Sequence, residues 1–460
     1  MRKALLFTAL FSTVAFAQNQ EERIRQLEEQ IRALQQELQK IKEEQKKAQE
    51  VQKEVEAVKE EVRKLRLDIA IPMVEIKSYS GLGPSASKVH FNPKGVSIGG
   101  YGELTFTRNS NFNRNSPGNQ QGGAKNIADT QRIIIYLGYA FSEKLKFNSE
   151  LELEHASTSS AHGTGGGYFK AELAYLDYQF RPEFGLRGGL LLMPLGIINE
   201  VHEPPTFPTA ERPFLERRLI PTTWEEMGIG AYGSVGMVDY RFYITNGLML
   251  KGNGTYSATA PLQSVKQRGA RATFDEIGFT GRVDINLPMN IKVGGSFWTG
   301  GVQSKGGGDS ALGLGRGTKV GSLTMLSPHI WWQHMGFDIR LVGVYTDIKD
   351  AKRIGQDLNV NTFPSKQQGY YLQVAYDLFR LFGPENQELY VFGMYEDIDT
   401  HKEVPSGFTK PAGHKLKVYN FGISYKPHPL VAIKADYARL NYSKPARDED
   451  EYRLTLSFMF

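Results

Sequence analysis

The last ten residues, Glu451 to Phe460, constrain the whole chain. They read Glu-Tyr-Arg-Leu-Thr-Leu-Ser-Phe-Met-Phe. Tyr452, Leu454, Leu456, Phe458 and Phe460 occupy every second position. A strand turns alternate side chains to opposite faces, so these five form one apolar, aromatic-ended face. Arg453, Thr455 and Ser457 take the other. An edge strand this apolar would invite aggregation. A sheet closed into a barrel, last strand against first, has no such edge. The alternative is an ordinary terminal strand of a sandwich.

The opposite end has a different character. Arg2 and Lys3 precede the apolar run Ala4 to Phe16, and Ala15-Phe16-Ala17 has the small-x-small form of a cleavage site. Residues 1–17 are predicted to be a signal peptide, with the mature chain starting at Gln18 outside the cytoplasm. The run is shorter than the ~20 residues of a membrane-spanning helix. A mean hydropathy of −0.39 excludes a bundle of such helices. The absence of cysteine excludes disulfides, thiolate metal sites, cysteine nucleophiles and a lipid-modified cysteine. The formal charge is +5, of which Arg2 and Lys3 carry two. That balance is too mild, and too free of basic runs, for a nucleic-acid partner.

Residues 18–66 are predicted to form a coiled-coil stalk. From Glu21 to Arg66 there is no Gly, Pro or aromatic residue. Ile24, Leu27, Ile31, Leu34, Leu38 and Ile41 alternate spacings of three and four, a heptad seam. The register slips at Ala48 to Val51 and resumes at Val55, Val58, Val62 and Leu65. Ile before Leu suits dimers, while Leu38 before Ile41 favours trimers, and both states stay open. A single solvated helix is the alternative. Residues 67–95 read as a linker, with Gly81-Leu82-Gly83-Pro84 as a turn signal alone.

Beyond the linker a two-residue period takes over. At 144–155, Leu145, Phe147, Leu151 and Leu153 share one face; Lys144, Lys146, Asn148, Glu150, Glu152 and Glu154 share the other. A Lys facing lipid at mid-bilayer costs ~2–4 kcal/mol, so the charged face must meet water. Sixteen such segments are predicted: 97–107, 130–140, 144–155, 169–180, 184–193, 226–234, 237–245, 274–287, 290–300, 320–334, 337–347, 368–378, 387–397, 416–426, 430–442 and 451–460. Most reach the ~9–11 residues of a tilted membrane strand. The fourth changes face near Ala174, which suggests a bulge, and the tenth contains Pro328, awkward inside a closed sheet. Short turns alternate with long loops rich in Gly, Asn and Ser, the pattern of a barrel with periplasmic turns and outer loops. Tyr139, Phe141, Phe180, Phe184, Phe337, Tyr425 and Phe460 flank the short turns as an interfacial girdle. The fold class is thus an all-β transmembrane barrel of about 16 antiparallel strands at 96–460, preceded by a periplasmic α-helical coiled coil.

The third long loop, 194–226, holds six prolines and carries Glu200, Glu203, Glu211, Glu216, Glu225 and Glu226 against Arg212, Arg217 and Arg218. Ile197, Ile198, Val201, Phe207, Phe214, Leu215, Leu219 and Ile220 need burial. Both facts suit a loop folded into the lumen; an ordered external cap is the alternative. Arg187-Gly188-Gly189, Met193-Pro194-Leu195-Gly196, Phe214-Leu215-Glu216-Arg217 and Gly228 resemble the phosphate-selective porin O/P family, as does Tyr243-Ile244-Thr245-Asn246-Gly247. Leu195 stands where that family has Phe. The terminal strand resembles that of bacterial outer-membrane barrels, where a final Phe serves as assembly signal. The resemblance implies sixteen strands, a homotrimer and diffusion of small anions.

No enzyme chemistry emerges, and no catalytic residue, cofactor or metal site is predicted. His329 and His334, five apart, face opposite sides of one strand. Asp397-Ile398-Asp399 lacks the Gly and Glu of a calcium loop. Asp448-Glu449-Asp450-Glu451 reads as a solvated tight loop. The expected function is passive diffusion of small hydrophilic solutes and ions through an outer-membrane porin. Arg212, Arg217, Arg218, Glu211 and Glu216 are expected at the constriction. Arg132, Lys144, Lys146, Arg241, Arg282, Lys292 and Arg340 are expected on the pore wall, against Glu103, Glu150, Glu152, Asp284 and Asp338. The loop's excess of carboxylates opposes the anion preference that the resemblance implies. Expected partners are outer-membrane lipid and, through the coil, peptidoglycan or a periplasmic protein. A structural tether to the cell wall is the competing class, and a barrel enzyme acting on lipid the third.

Overall fold

A computed structural model describes residues 77–110, 125–158, 167–251, 256–384 and 386–460, with five isolated helical positions before them, Arg32, Gln39, Lys42, Lys46 and Lys53. The signal peptide, the heptad seam and linker residues 67–76 lie outside the described residues.

Among the described residues sixteen long strands form one sheet, antiparallel but for a two-residue strand, Leu248–Met249, that pairs in parallel with Val302 and Gln303. They are β1 (Gly95–Asn109), β2 (Lys125–Ala140), β3 (Leu145–Glu154), β4 (Phe169–Arg181), β5 (Phe184–Leu192), β6 (Glu225–Val235), β7 (Val238–Asn246) and β8 (Ile277–Leu287). Then come β9 (Ile291–Gln303), β10 (Lys319–His334), β11 (Phe337–Lys349), β12 (Lys366–Asp377), β13 (Glu388–Glu403), β14 (Lys415–His428), β15 (Val431–Tyr442) and β16 (Glu449–Met459). Each strand pairs with its sequence neighbour, and β16 closes onto β1, from Tyr101 opposite Met459 to Asn109 opposite Glu451. Gly100 and Phe460 exchange two backbone hydrogen bonds, 3.0 and 2.9 Å, at the seam. The sheet is a closed barrel with no free edge.

The alternation sorts the faces. On β16 and at the residue after it, Tyr452, Leu454, Leu456 and Phe460 are exposed on the outside, while Arg453, Thr455 and Ser457 are buried inside. On β1, Ile98, Leu104 and Phe106 face out, and Tyr101 and Glu103 face in. Charged side chains on nearly every strand point to the lumen, which inverts the ordering of a water-soluble protein. Such an exterior is stable only against lipid. Beside the short turns, Tyr139 stacks edge-on against Phe141 at 4.9 Å, and Phe337 lies 4.7 Å from Tyr376.

Both strands flagged in the sequence are irregular, and the bulge expected in the fourth is present. The face change in β4 comes from a bulge at Glu172, two residues before Ala174: Glu150 pairs with Leu173 and Leu151 with Ala171. The extra residue turns both Glu172 and Leu173 inward. Pro328 is accommodated inside β10. It faces outward opposite Gly295, and the β10–β11 ladder skips from Leu326 to His329, so no partner waits for its missing N–H.

The linker ends in more than a turn signal. Gly81 takes a left-handed φ of +83°, which leads into helix α1 (Pro84–Phe91). Leu82, Ala86 and Val89 are buried, and α1 packs on β1, β2 and β3 at the short-turn end.

Candidate functional site

An irregular loop can enter a barrel only if its backbone polar groups find partners there. The loop between β5 and β6 finds them on inward wall side chains. Arg282 donates to the Gly196 carbonyl. Arg340 Nη2 donates to Thr206 O at 2.8 Å. Lys434 Nζ donates to Pro204 O at 2.6 Å and Thr209 O at 3.0 Å. Asp436 accepts the Ala210 N–H at 2.9 Å. Glu396 accepts the N–H groups of Phe214 and Leu215 at 2.9 and 2.7 Å, where the one-turn helix α2 (Leu215–Arg218) starts. Glu200 pairs with Arg241 at 3.0 Å. These anchors lie on β7, β8, β11, β13 and β15. Ile197, Ile198, Phe207, Phe214, Leu215, Leu219 and Ile220 are buried, and Val201 is half-buried.

The five expected constriction residues divide. Arg217 pairs with Glu211 and lies over the Phe214 ring at 4.2 Å. Arg218 donates to Tyr442 Oη at 3.0 Å. Both residues are half-buried. Arg212 is buried and donates to Thr223 Oγ1 at 2.9 Å. Glu216 does not face the passage. Its carboxylate turns into the loop and accepts the N–H groups of Ile197 and Ile198 and the hydroxyl of Tyr371. Gly196, at φ +65°, sits against it where a Cβ would collide. Glu216 therefore shapes the Pro194-Leu195-Gly196 bend. Burial raises its pKa, with those hydrogen bonds opposing.

On the wall, Arg132, Lys146, Arg241, Arg282 and Arg340 are buried and face inward, and Lys292 is half-buried. Most are neutralised. Arg132 lies 3.1 Å from Glu103, Arg241 and Arg282 share Asp284 at 3.0 and 2.8 Å, and Arg340 lies 2.6 Å from Asp338. Lys144 is not a wall residue. It lies in the exposed β2–β3 turn, one residue before β3 begins.

The lumen has a second occupant, which the sequence showed only as a linker. Glu203 of the inward loop accepts the N–H groups of Ser85 and Ala86 at 3.0 and 2.9 Å, at the start of α1. Burial lifts the Glu203 pKa to about 7, against these two bonds. Asn148 donates to Ala86 O at 2.8 Å, and Lys146 donates to Asn92 O. Tyr79 stacks on His90 at 4.0 Å and hydrogen-bonds Tyr232 at 2.7 Å. Residues 79–92 thus seat among inward side chains of β3, β6 and the folded-in loop.

One grouping was invisible in one dimension. Glu150, Glu172 and His202 bring their ligand atoms within 4.8 Å of one another, all buried. Their sequence separations carry no recognisable spacing, and Glu172 is the unpaired residue of the β4 bulge.

No family model matches the chain. A protein of Aquifex aeolicus (strain VF5), described as uncharacterized, is 50% identical over 405 residues, covering 86% of this chain and 87% of its own. The chain belongs to that protein's family. Solved structures share the architecture of this chain at low identity. The anion-selective porin from Comamonas acidovorans superimposes with a TM-score of 0.51 at 12% identity, over 80% of this chain and 100% of its own. The outer membrane channel DcaP of Acinetobacter baumannii gives 0.48 at 10% identity, over 80% and 98%. At 12% identity the likeness to the Comamonas porin is one of fold alone, a closed antiparallel barrel.

Proposed function

We propose that the chain is an outer-membrane porin, passing small hydrophilic solutes by diffusion between the folded-in loop and the barrel wall. The observation that supports this most directly is the lumen itself. It carries charged side chains from nearly every strand, as no lipid-filled interior would. Sixteen strands enclose an aqueous channel when their interior is polar. The solved Comamonas porin is described as anion-selective, and the O/P resemblance leans the same way. Residues 79–92 occupy the short-turn mouth and restrict it. The barrel trimerises in the outer membrane, with the 18–66 coil in the periplasm. The tether reading has no observation in its favour. Single-channel recording in planar bilayers tests the proposal: discrete, ohmic steps are expected, and a purified, folded barrel that gives none overturns it.

Selectivity rests on Arg217 and Arg218, the half-buried loop cations. Two unit charges ~4 Å apart interact by about 4 kcal/mol at an effective dielectric constant of ~20. A tenfold change in permeability ratio needs only ~1.4 kcal/mol. Arg217→Glu with Arg218→Glu is therefore expected to move the reversal potential in a salt gradient toward cation selectivity. If reversal potential and conductance both stay put, the loop does not form the constriction.

The coil is proposed to associate through its seam. Ile31→Asp with Leu34→Asp is expected to lower both helicity and oligomer size of a peptide covering 18–66. A double variant as helical and as large as the parent rules the seam out.

A further inference from the structure

We propose that Glu150, Glu172 and His202 form a binding site for a divalent transition-metal cation, one that ties the folded-in loop to strands β3 and β4. The inference does not depend on the channel reading.

His202 comes from the loop. Its Nδ1 lies 3.0 Å from the Asn199 carbonyl, which can only accept, so Nδ1 carries the hydrogen. On giving up the hydrogen it shares with Glu150, Nε2 offers a lone pair to a metal, with the ring orientation fixed by its other nitrogen. That Nε2 lies 3.1 Å from Glu150 Oε1 and 3.7 Å from Glu172 Oε2. A tetrahedral ion with ligands at ~2.1 Å places them roughly 3.4 Å apart, between these two distances.

The second observation is independent of the clustering. Glu150 is 0% exposed and Glu172 1%, yet among the described residues neither Glu150 Oε2 nor Glu172 Oε2 has a donor in hydrogen-bonding geometry, the Tyr136 hydroxyl lying beside Glu150. A buried carboxylate oxygen without a donor costs several kcal/mol in order of magnitude unless a cation meets it. Nearby cations are already shared. Lys170 Nζ lies 2.7 Å from Glu172 Oε1, 3.3 Å from Glu152 and 3.7 Å from Glu225. Arg132 is nearer Glu103, at 3.1 Å, than Glu152, at 4.0 Å. Tyr101 Oη lies 3.4 Å from Glu150 Oε1, and the Tyr136 hydroxyl and the Arg212 guanidinium lie close by.

The third is the bulge. Without the inserted residue, regular alternation would put Glu172 on the face opposite Leu173. The bulge leaves Glu172 without a cross-strand partner and keeps it inward beside Leu173, opposite Glu150, and bulges recur next to functional sites. One imidazole and two carboxylates suit Zn²⁺ and Mn²⁺ better than the all-oxygen shell of Ca²⁺.

A protonated imidazole could satisfy Glu150 without a metal, and the experiment separates the two. Full-length protein in detergent is stripped with chelator, dialysed against Zn²⁺, and its metal measured. One ion per chain is expected. His202→Gln and Glu172→Gln are each expected to weaken binding at least tenfold while remaining heat-modifiable barrels. Replacing Zn²⁺ by Co²⁺ should give visible ligand-field bands that Glu172→Gln loses. Zinc below one ion per chain, or equal binding and spectra in parent and variants, overturns the site in favour of an imidazolium–carboxylate pair. If a variant fails to fold, the Co²⁺ spectrum of the parent decides: no bands, no site.

Discussion

Locking residues 79–92 in the lumen is expected to hold the channel at low conductance, and releasing them to raise it several-fold. The chain has no cysteine, so an introduced pair has no competitor. Gly83 has an ordinary φ of −61°, and a Cβ there would lie 3.0 Å from Cγ of Glu203. A disulfide between Gly83→Cys and Glu203→Cys therefore needs little movement. Oxidised, the covalent bond replaces the two carboxylate hydrogen bonds and keeps α1 in place. Reduced, the Ser85 and Ala86 N–H groups lose their acceptor. Each hydrogen bond to a charged group contributes about 1.5–3 kcal/mol, so the segment loses much of what holds it. Adding reductant during a bilayer recording should increase the current through a single channel. The same current before and after reduction would show that the segment does not obstruct the passage.

Replacing Phe458 and Phe460 by Ser is expected to remove most of the folded barrel. The two rings lie over glycines of β1 at the closure seam. A Cβ on Gly100 would fall 2.7 Å from Phe460 Cζ, and the Phe458 ring covers Gly102. The rings shield a stretch of backbone that has no side chains of its own, an arrangement known to support glycine-containing edges. A ring facing lipid has left water as fully as one in a core, so each is worth roughly 1.5–3 kcal/mol. The loss falls where the last strand must find the first. Unfolded chain should accumulate in the periplasm, and the heat-modifiable band should drop by an order of magnitude or more. A double variant with normal barrel yield would leave the terminal face without a role in assembly.

The barrel was legible because its two faces meet solvents of opposite polarity, lipid outside and water or charge inside. Alternation such as Leu145, Phe147, Leu151 and Leu153 against Lys146, Asn148, Glu150 and Glu152 is then forced at each position. Boundaries shifted by a few residues, chiefly on the long-loop side. There β13 runs to Glu403 and β2 begins at Lys125, well past the apolar belt that makes alternation visible. Inside the lumen no such rule operates. Whether Glu216 lines the passage or supports a bend depends on Gly196 and on Tyr371, which lies 155 residues away. The seating of 79–92 rests on Glu203, more than a hundred residues later. Lys144 looked inward because the alternation was extended one residue past the end of the strand.

The loop that crosses the lumen also bears on mechanics. A cylinder of sixteen strands resists stretching along its hydrogen bonds but flattens easily, because ovalising it only bends the sheet. Lateral pressure from the bilayer acts in that soft direction. Arg282, Arg340, Glu396, Lys434 and Asp436 reach inward from widely separated staves and grip one continuous chain. They act as spokes on a common hub. Flattening along any diameter must shorten some spokes and stretch others, so the cross-section stays round and the gap beside the hub keeps its width.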